Sequence, residues 1–164
     1  LAGEQCNGGV GFLFYDHFRS YYEESDFCHR VWLAGYEVWY LPTKPIEHLC
    51  GYTSNKFDRT EIMRQYIRNS FYSLGVNLGF WGRVTIVPLY AAVMSVHALV
   101  HLLRGNVKVF NSDISIFSEL LTLRGEISRD RRRIIRKITD ATLFRRVIRL
   151  PPLSYFVSAV KSNI

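Results

Sequence analysis

Hydrophobic and polar positions alternate along this chain in several rhythms, and each rhythm predicts a different element. Residues 1–22 are rich in glycine and aromatics without a clear period and read as loop. From Glu23 the spacing turns helical, with Phe27, Cys28, Val31 and Trp32 at i, i+1, i+4 and i+5 on one face. Ser25 is placed as an N-cap, and Gly35 as the residue just beyond the helix. Tyr36 to Leu41 is dense in aromatic and β-branched residues and is stopped by Pro42, which predicts a short buried strand. A polar stretch, Gly51 to Arg59, leads into an amphipathic helix from Thr60 to about Leu74. Its apolar face carries Ile62, Tyr66, Ile67 and Phe71, and Gly75, Gly79 and Gly82 then break the pattern.

Val84 to Leu103 departs from every amphipathic pattern. It holds no Asp, Glu, Lys or Arg and is bracketed by Arg83 and Arg104. A helix of that length measures about 30 Å, the hydrocarbon thickness of a bilayer. Thr85, Pro88, Ser95, His97 and His101 interrupt its apolar character, so a kinked, re-entrant or interfacial helix stands beside a simple span. A membrane segment is favoured over a buried core helix. Beyond it, Ile114 to Leu123 reads as helix. A basic block from Arg129 to Arg149 follows, with Ile134, Ile135, Ile138, Leu143, Val147 and Ile148 at helical spacing, and Pro151 and Pro152 end it.

Composition sharpens this picture in one respect. The net charge of +7 conceals an acidic front, with seven acids and three bases in residues 1–50, and a basic back, with ten bases and three acids in residues 124–149. Arg131, Arg132 and Arg133 carry no accompanying nucleic-acid motif, and a basic face on an anionic cytosolic leaflet accounts for them better. Cys6, Cys28 and Cys50 are too few and too scattered for a disulfide framework and read as reduced thiols. His97 and His101 form a weak HxxxH pair, read as lining a polar groove. The chain starts at Leu1 without a signal-peptide pattern, which reads as a break inside a longer protein.

Glu23, Glu24 and Asp26 cluster where a helix begins, and the helix dipole favours ionised carboxylates there. Such a group can take a proton from an attacking hydroxyl or hold a divalent cation. Acids are also ordinary at helix starts, and spacing alone favours that plainer reading.

The surrounding residues add a resemblance. Tyr21-Tyr22-Glu23-Glu24-Ser25-Asp26-Phe27-Cys28-His29-Arg30 resembles the aromatic-Glu-Asp-x-Asp-apolar-Cys-x-Arg signature of family 2 glycosyltransferases, of rhamnosyltransferase type. Leu33 to Pro42 is similar to that family's Gly-Tyr strand ending in proline, and His48 falls where the family places a histidine, followed by Gly51 and Ser54. Phe14, Asp16 and Phe18 echo an upstream segment, with Phe12 and Leu13 replacing its glycine pair. Tyr66 with Arg68-Asn69 echoes a downstream helix. The resemblance covers about residues 12–75.

The resemblance implies the C-terminal part of an α/β GT-A nucleotide-sugar transferase domain over residues 1–80, on the acceptor side. A membrane-associating helix or hairpin would occupy 81–104, and a basic, mostly α-helical tail 105–164. It implies inverting transfer of a sugar from a nucleotide-activated donor to an acceptor hydroxyl, in surface polysaccharide or lipid-linked glycan synthesis. Glu24 stands at the position of the catalytic base, where the family has Asp. The extra methylene moves the carboxylate, and about 1 Å at a reacting centre can cost about 10²-fold in rate. Glu23 and Asp26 would orient the acceptor or nearby backbone, and Arg30 and Arg68 would contact acceptor or donor, although an exposed helix arginine is the plainer reading of Arg68. His48 would be a ligand to a divalent metal (Mn or Mg) held largely by an absent N-terminal half. No Asp-x-Asp occurs in the chain, so the piece is expected to be inactive alone. The implied partners are the nucleotide-sugar, a glycan or lipid-linked acceptor and the cytosolic face of a membrane, without nucleic acid. The alternative is a non-catalytic membrane-associated binding or adaptor protein derived from a transferase domain.

Overall fold

The first helix, α1, runs over Glu23–Leu33 in a computed structural model that describes residues 13–15, 17–18, 20–39, 41–42 and 58–147. It ends as its sequence predicts. Gly35 takes φ 84°, its N–H reaches the Trp32 carbonyl at 3.0 Å, and the Tyr36 N–H reaches Val31 at 3.1 Å. These two bonds form a Schellman cap, which glycine enters without steric cost. The start differs: the N-cap is Tyr22 rather than Ser25, and no side chain caps the helix.

Helix α2, Arg59–Asn77, begins at Asp58, whose carboxylate accepts from the Thr60 N–H at 2.9 Å. Helix α3, Phe80–Leu103, joins α4, Val107–Thr122, through a tight turn. There Gly105 takes φ 74°, the Asn106 N–H returns to the His101 carbonyl at 2.8 Å, and the Asn106 side chain caps α4. Two shorter helices follow, α5 over Arg124–Arg131 and α6 over Asp140–Val147.

These elements correct the expected α/β fold. Among the described residues all regular structure is helical, six helices and no strand, which does not fit a GT-A domain. Tyr36–Trp39 is not a strand. No other strand among the described residues is there to pair with it, and Tyr36, Val38 and Trp39 are exposed rather than buried. The basic block is not one helix either, because α5 ends at Arg131 and α6 starts at Asp140.

Two apolar clusters hold the helices together. Tyr15, Phe18, Tyr72 and Val76 form one, with Ile127 and Ile134 against it. Ile67, Phe71, Met94 and Ile116 form the other, where α2, α3 and α4 meet. Each such side chain contributes about 1.5–3 kcal/mol when fully buried. Gly75 does not end α2. It lies inside the helix, and a Cβ there would come within 3.3 Å of Ile127, so glycine lets α2 and α5 approach closely.

The basic segment closes the far end of α2, whose last turn holds no basic residue of its own. Arg131 donates to the carbonyls of Val76 (3.1 Å) and Leu78, and Arg136 donates to that of Asn77. Cations at a helix C-terminus satisfy orphan carbonyls and oppose the dipole. Asp140 performs the converse task for α3, accepting from the Gly79 N–H at 3.0 and 2.7 Å. A Cβ on Gly82 would meet the Asp140 carboxylate at 2.5 Å, and one on Gly79 at 2.8 Å. The glycines that break the amphipathic pattern are therefore the seat of this latch. Gly82→Ala is expected to displace Asp140 and cost about 1–3 kcal/mol, the usual range for overpacking. Tryptic cleavage at Arg132, Arg133 and Arg136 should accelerate; an unchanged rate would mean that Asp140 does not hold the segment down.

Helix α3 is long and apolar enough to cross a membrane, by length and composition, and only 11% of its most apolar window is buried inside the molecule. That exposure is the opposite of a core helix.

Candidate functional site at the start of α1

Tyr21 and Tyr22 both lie in the left-handed region, at φ 70° and 76°. For two consecutive bulky residues this is strained backbone, on the order of 1–3 kcal/mol each, and it persists only where the surroundings impose it. Asn69 on α2 imposes it: its side-chain amide donates to the carbonyls of Ser20 (3.0 Å) and Tyr21 (2.8 Å). The neighbouring Arg68 donates to the His17 carbonyl at 2.9 Å and steadies the Asn69 oxygen. Tyr22 then packs edge-on against Tyr66, with ring centroids 5.3 Å apart. The strained turn feeds directly into Glu23 and Glu24.

The three acids part company in space. Asp26 is 1% exposed and accepts from Arg30 Nε at 2.9 Å and from Asn77 Nδ2 at 2.7 Å. Arg30 is equally buried, donates a further bond to the Leu13 carbonyl and lies over the rings of Tyr15 and Phe27. This pair anchors α1 to α2 and holds the loop that precedes it. Glu24, by contrast, is exposed. Glu23 is half-buried, and its Oε2 has no hydrogen-bond partner among the described residues. A buried acceptor left unsatisfied is uncommon and marks a place for an incoming donor. Glu23 and Glu24 are thus the acids available to a ligand, and Asp26 with Arg30 positions them.

Arg68 is not an exposed helix arginine. It is largely buried, pinned to backbone and placed 3.7 Å from Glu119. His29, on the same helix as the acids, has its Nε2 buried without a partner, and burial pushes the imidazole down to about 4. His48 lies outside the described residues, as do Cys6 and Cys50. Among the described residues no group of three or more His, Cys, Asp or Glu could hold a metal ion. His97 faces α4, its Nδ1 2.8 Å from the Asp113 carboxylate, and the His101 ring lies 4.5 Å from that of His97.

Beside the acids, between α2 and α3, runs an open apolar groove of about 410 Å³. Tyr22, Tyr66, Ser70 and Leu74 line one side, and Ile86, Leu89, Tyr90 and Val93 the other. Two of its hydroxyls are already engaged, because Ser70 donates to the Ile67 carbonyl at 2.7 Å and meets the Tyr90 hydroxyl at 2.9 Å. Such a lining suits an apolar ligand of ordinary size. Neither the groove nor the strained turn was read from the sequence. Tyrosine gives no signal of positive φ, and the groove joins residues up to 71 positions apart. The adjacent Arg68-Asn69 pair was the one available sign. Comparison with known proteins finds no matching family, no similar characterised protein and no solved structure of similar fold.

Proposed function

We propose that this chain is the acceptor-side portion of a membrane-associated, inverting sugar transferase acting on a lipid-linked or surface glycan, at the cytosolic leaflet. The observation that carries the reading is the Tyr21–Tyr22 turn, strained and clamped by Asn69, which presents Glu23 and Glu24 at the start of α1. Strain of this kind gathers where side chains must be aimed. The resemblance of Tyr21 to Arg30 to the family 2 signature supports the same assignment. Glu24, solvated and at the positive end of a helix, is the group that takes the acceptor hydroxyl's proton. Glu23 orients that hydroxyl. The groove beside Tyr22 gives an apolar acceptor tail a path between α2 and α3. The donor nucleotide-sugar and its divalent metal belong to residues other than those described, with His48 as a ligand within this chain.

The second reading is a non-catalytic membrane-associated adaptor. The engagement of Asp26 and Arg30 with each other favours it, since part of the acidic motif then serves structure alone.

Transfer from nucleotide-sugar to a lipid-linked acceptor, measured in membranes containing the full-length protein, separates the two. Glu24→Gln is expected to reduce turnover by about 10²–10⁴-fold, the usual contribution of a general base, with donor binding retained. Unchanged turnover removes Glu24 from the chemistry. Acceptor binding without transfer by the unaltered protein assigns it to the adaptor class.

A further inference from the structure

We infer that α3 lies in the plane of an anionic lipid leaflet, with its outer face among the acyl chains and α2 and α4 on the water side, instead of crossing the bilayer. Three observations carry this, and none depends on the proposed transfer reaction.

The first is the outer face itself. Trp81, Leu89, Val96, Leu99 and Leu103 are all exposed along it, and no Asp, Glu, Lys or Arg occurs from Val84 to Leu103. Its two hydroxyls are satisfied within the helix, Thr85 donating to the Trp81 carbonyl and Ser95 to that of Ala91, at 2.7 and 2.8 Å. A face that needs nothing from water is fitted for lipid.

The second is what packs behind it. Met94, near the middle of α3, meets Ile67 of α2 and Ile116 of α4. One turn from those contacts sits an ionic network, in which Arg64 binds Glu61 at 2.6 Å and also Glu119, and Arg68 lies 3.7 Å from Glu119. His97 and Asp113 pair at the same level. Further charges lie at both ends, Asp58 with Lys108 near the C-terminal turn and Asp140 with Arg136 at the N-terminus. A spanning α3 would carry the central network to the bilayer midplane, where charge is least tolerated. Laid flat, the helix leaves every one of these groups on the aqueous side. Pro88 agrees, because it lacks the N–H that would bond the Val84 carbonyl, and that carbonyl is hydrated at headgroup depth but not in hydrocarbon.

The third selects the occupant. The chain carries a net charge of +7, with Arg104, Arg124, Arg129 and Arg132 exposed. A second copy would bring the same net charge, whereas anionic headgroups complement Arg83 and Arg104, which bracket the apolar stretch. Interfacial helices settle about 5–10 Å into the headgroup boundary.

The test places a bimane probe on single cysteines at Thr85, Ala92 and Leu103, which share one side of α3, in a background with Cys6, Cys28 and Cys50 changed to Ser. The protein is bound to phosphatidylglycerol-containing vesicles that carry lipid spin labels at two depths. Equal quenching at the three sites, stronger from the shallow label, is the expected result. A graded pattern with Ala92 deepest would mean a spanning helix, and no quenching anywhere would mean that protein covers the face; either overturns the inference. The unaltered chain gives an independent reading through polarised infrared spectroscopy of oriented bilayers. The antiparallel α3–α4 pair should give amide dichroism of helices parallel to the membrane, and a perpendicular signal overturns the proposal without recourse to any variant.

Discussion

Arg30→Met is expected to cost about 3–5 kcal/mol, enough to consume a large share of the stability of a domain this size. The guanidinium is 1% exposed and bonds Asp26 Oδ2 at 2.9 Å. Removing it strands the Asp26 carboxylate in the interior with Asn77 as its remaining side-chain donor among the described residues. The bond to the Leu13 carbonyl is lost as well, and with it the hold on the segment before α1. Asp26→Leu combined with Arg30→Met should recover much of the loss, because a buried pair replaced by apolar groups of similar volume is often close to neutral. Denaturant titration of the two variants and the parent in one detergent decides the matter. A loss below about 1 kcal/mol for Arg30→Met, the level of a surface ion pair, would mean that the pair is solvated.

That pair also shows how a motif can be read correctly as a pattern and incorrectly as a set of reagents. Four-residue spacing puts Asp26 and Arg30 on one face of α1, and the sequence makes this plain. Whether the face turns inward depends on Asn77, 51 residues on from Asp26, and that is a tertiary fact. Glu24 is a near neighbour of Asp26 in sequence yet is exposed, and Glu23 is half-buried.

The same distinction runs through the fold. Local chemistry gave the end of α1 at Gly35, the helical character of Thr60–Leu74 and the apolar α3, since caps and composition act over a few residues. The predicted strand failed because Tyr36–Leu41 has a strand's composition but, among the described residues, no partner to complete its hydrogen bonds. Gly75, Gly79 and Gly82 were read as breakers, whereas their purpose is close approach by Ile127 and Asp140. Those two residues arrive from more than 50 positions away. The basic block read as one amphipathic helix because its isoleucines keep helical spacing. Instead, Lys137 donates its backbone N–H to the Leu33 carbonyl at 2.8 Å, and Arg131 and Arg136 turn inward onto the end of α2. Orphan carbonyls of one helix here compete successfully for the donors of another segment.

Acidification below about pH 6.5 is expected to destabilise the protein through His29. Burial lowers its folded-state value to about 4, against 6.5 for the unfolded chain, with Arg136 and Arg30 opposing protonation and Asp26 and Asp140 favouring it. Between those two values the unfolded chain binds a proton that the folded chain refuses, so stability falls as the pH falls and levels off below the lower one. The full effect is on the order of 3 kcal/mol. The carboxylates act in a separate window. Hydrogen bonds from Lys108 and Arg64 hold Asp58 and Glu61 below their usual values of 3.8 and 4.5, so stability from these groups is lost only as the pH falls below those usual values. Denaturation midpoints measured from pH 7 to 5 therefore isolate the imidazole. His29→Leu should flatten the curve over that range without loss at pH 7, because the Nε2 it removes has no hydrogen-bond partner. A slope that survives in His29→Leu would mean that His29 is not the source of the acid sensitivity.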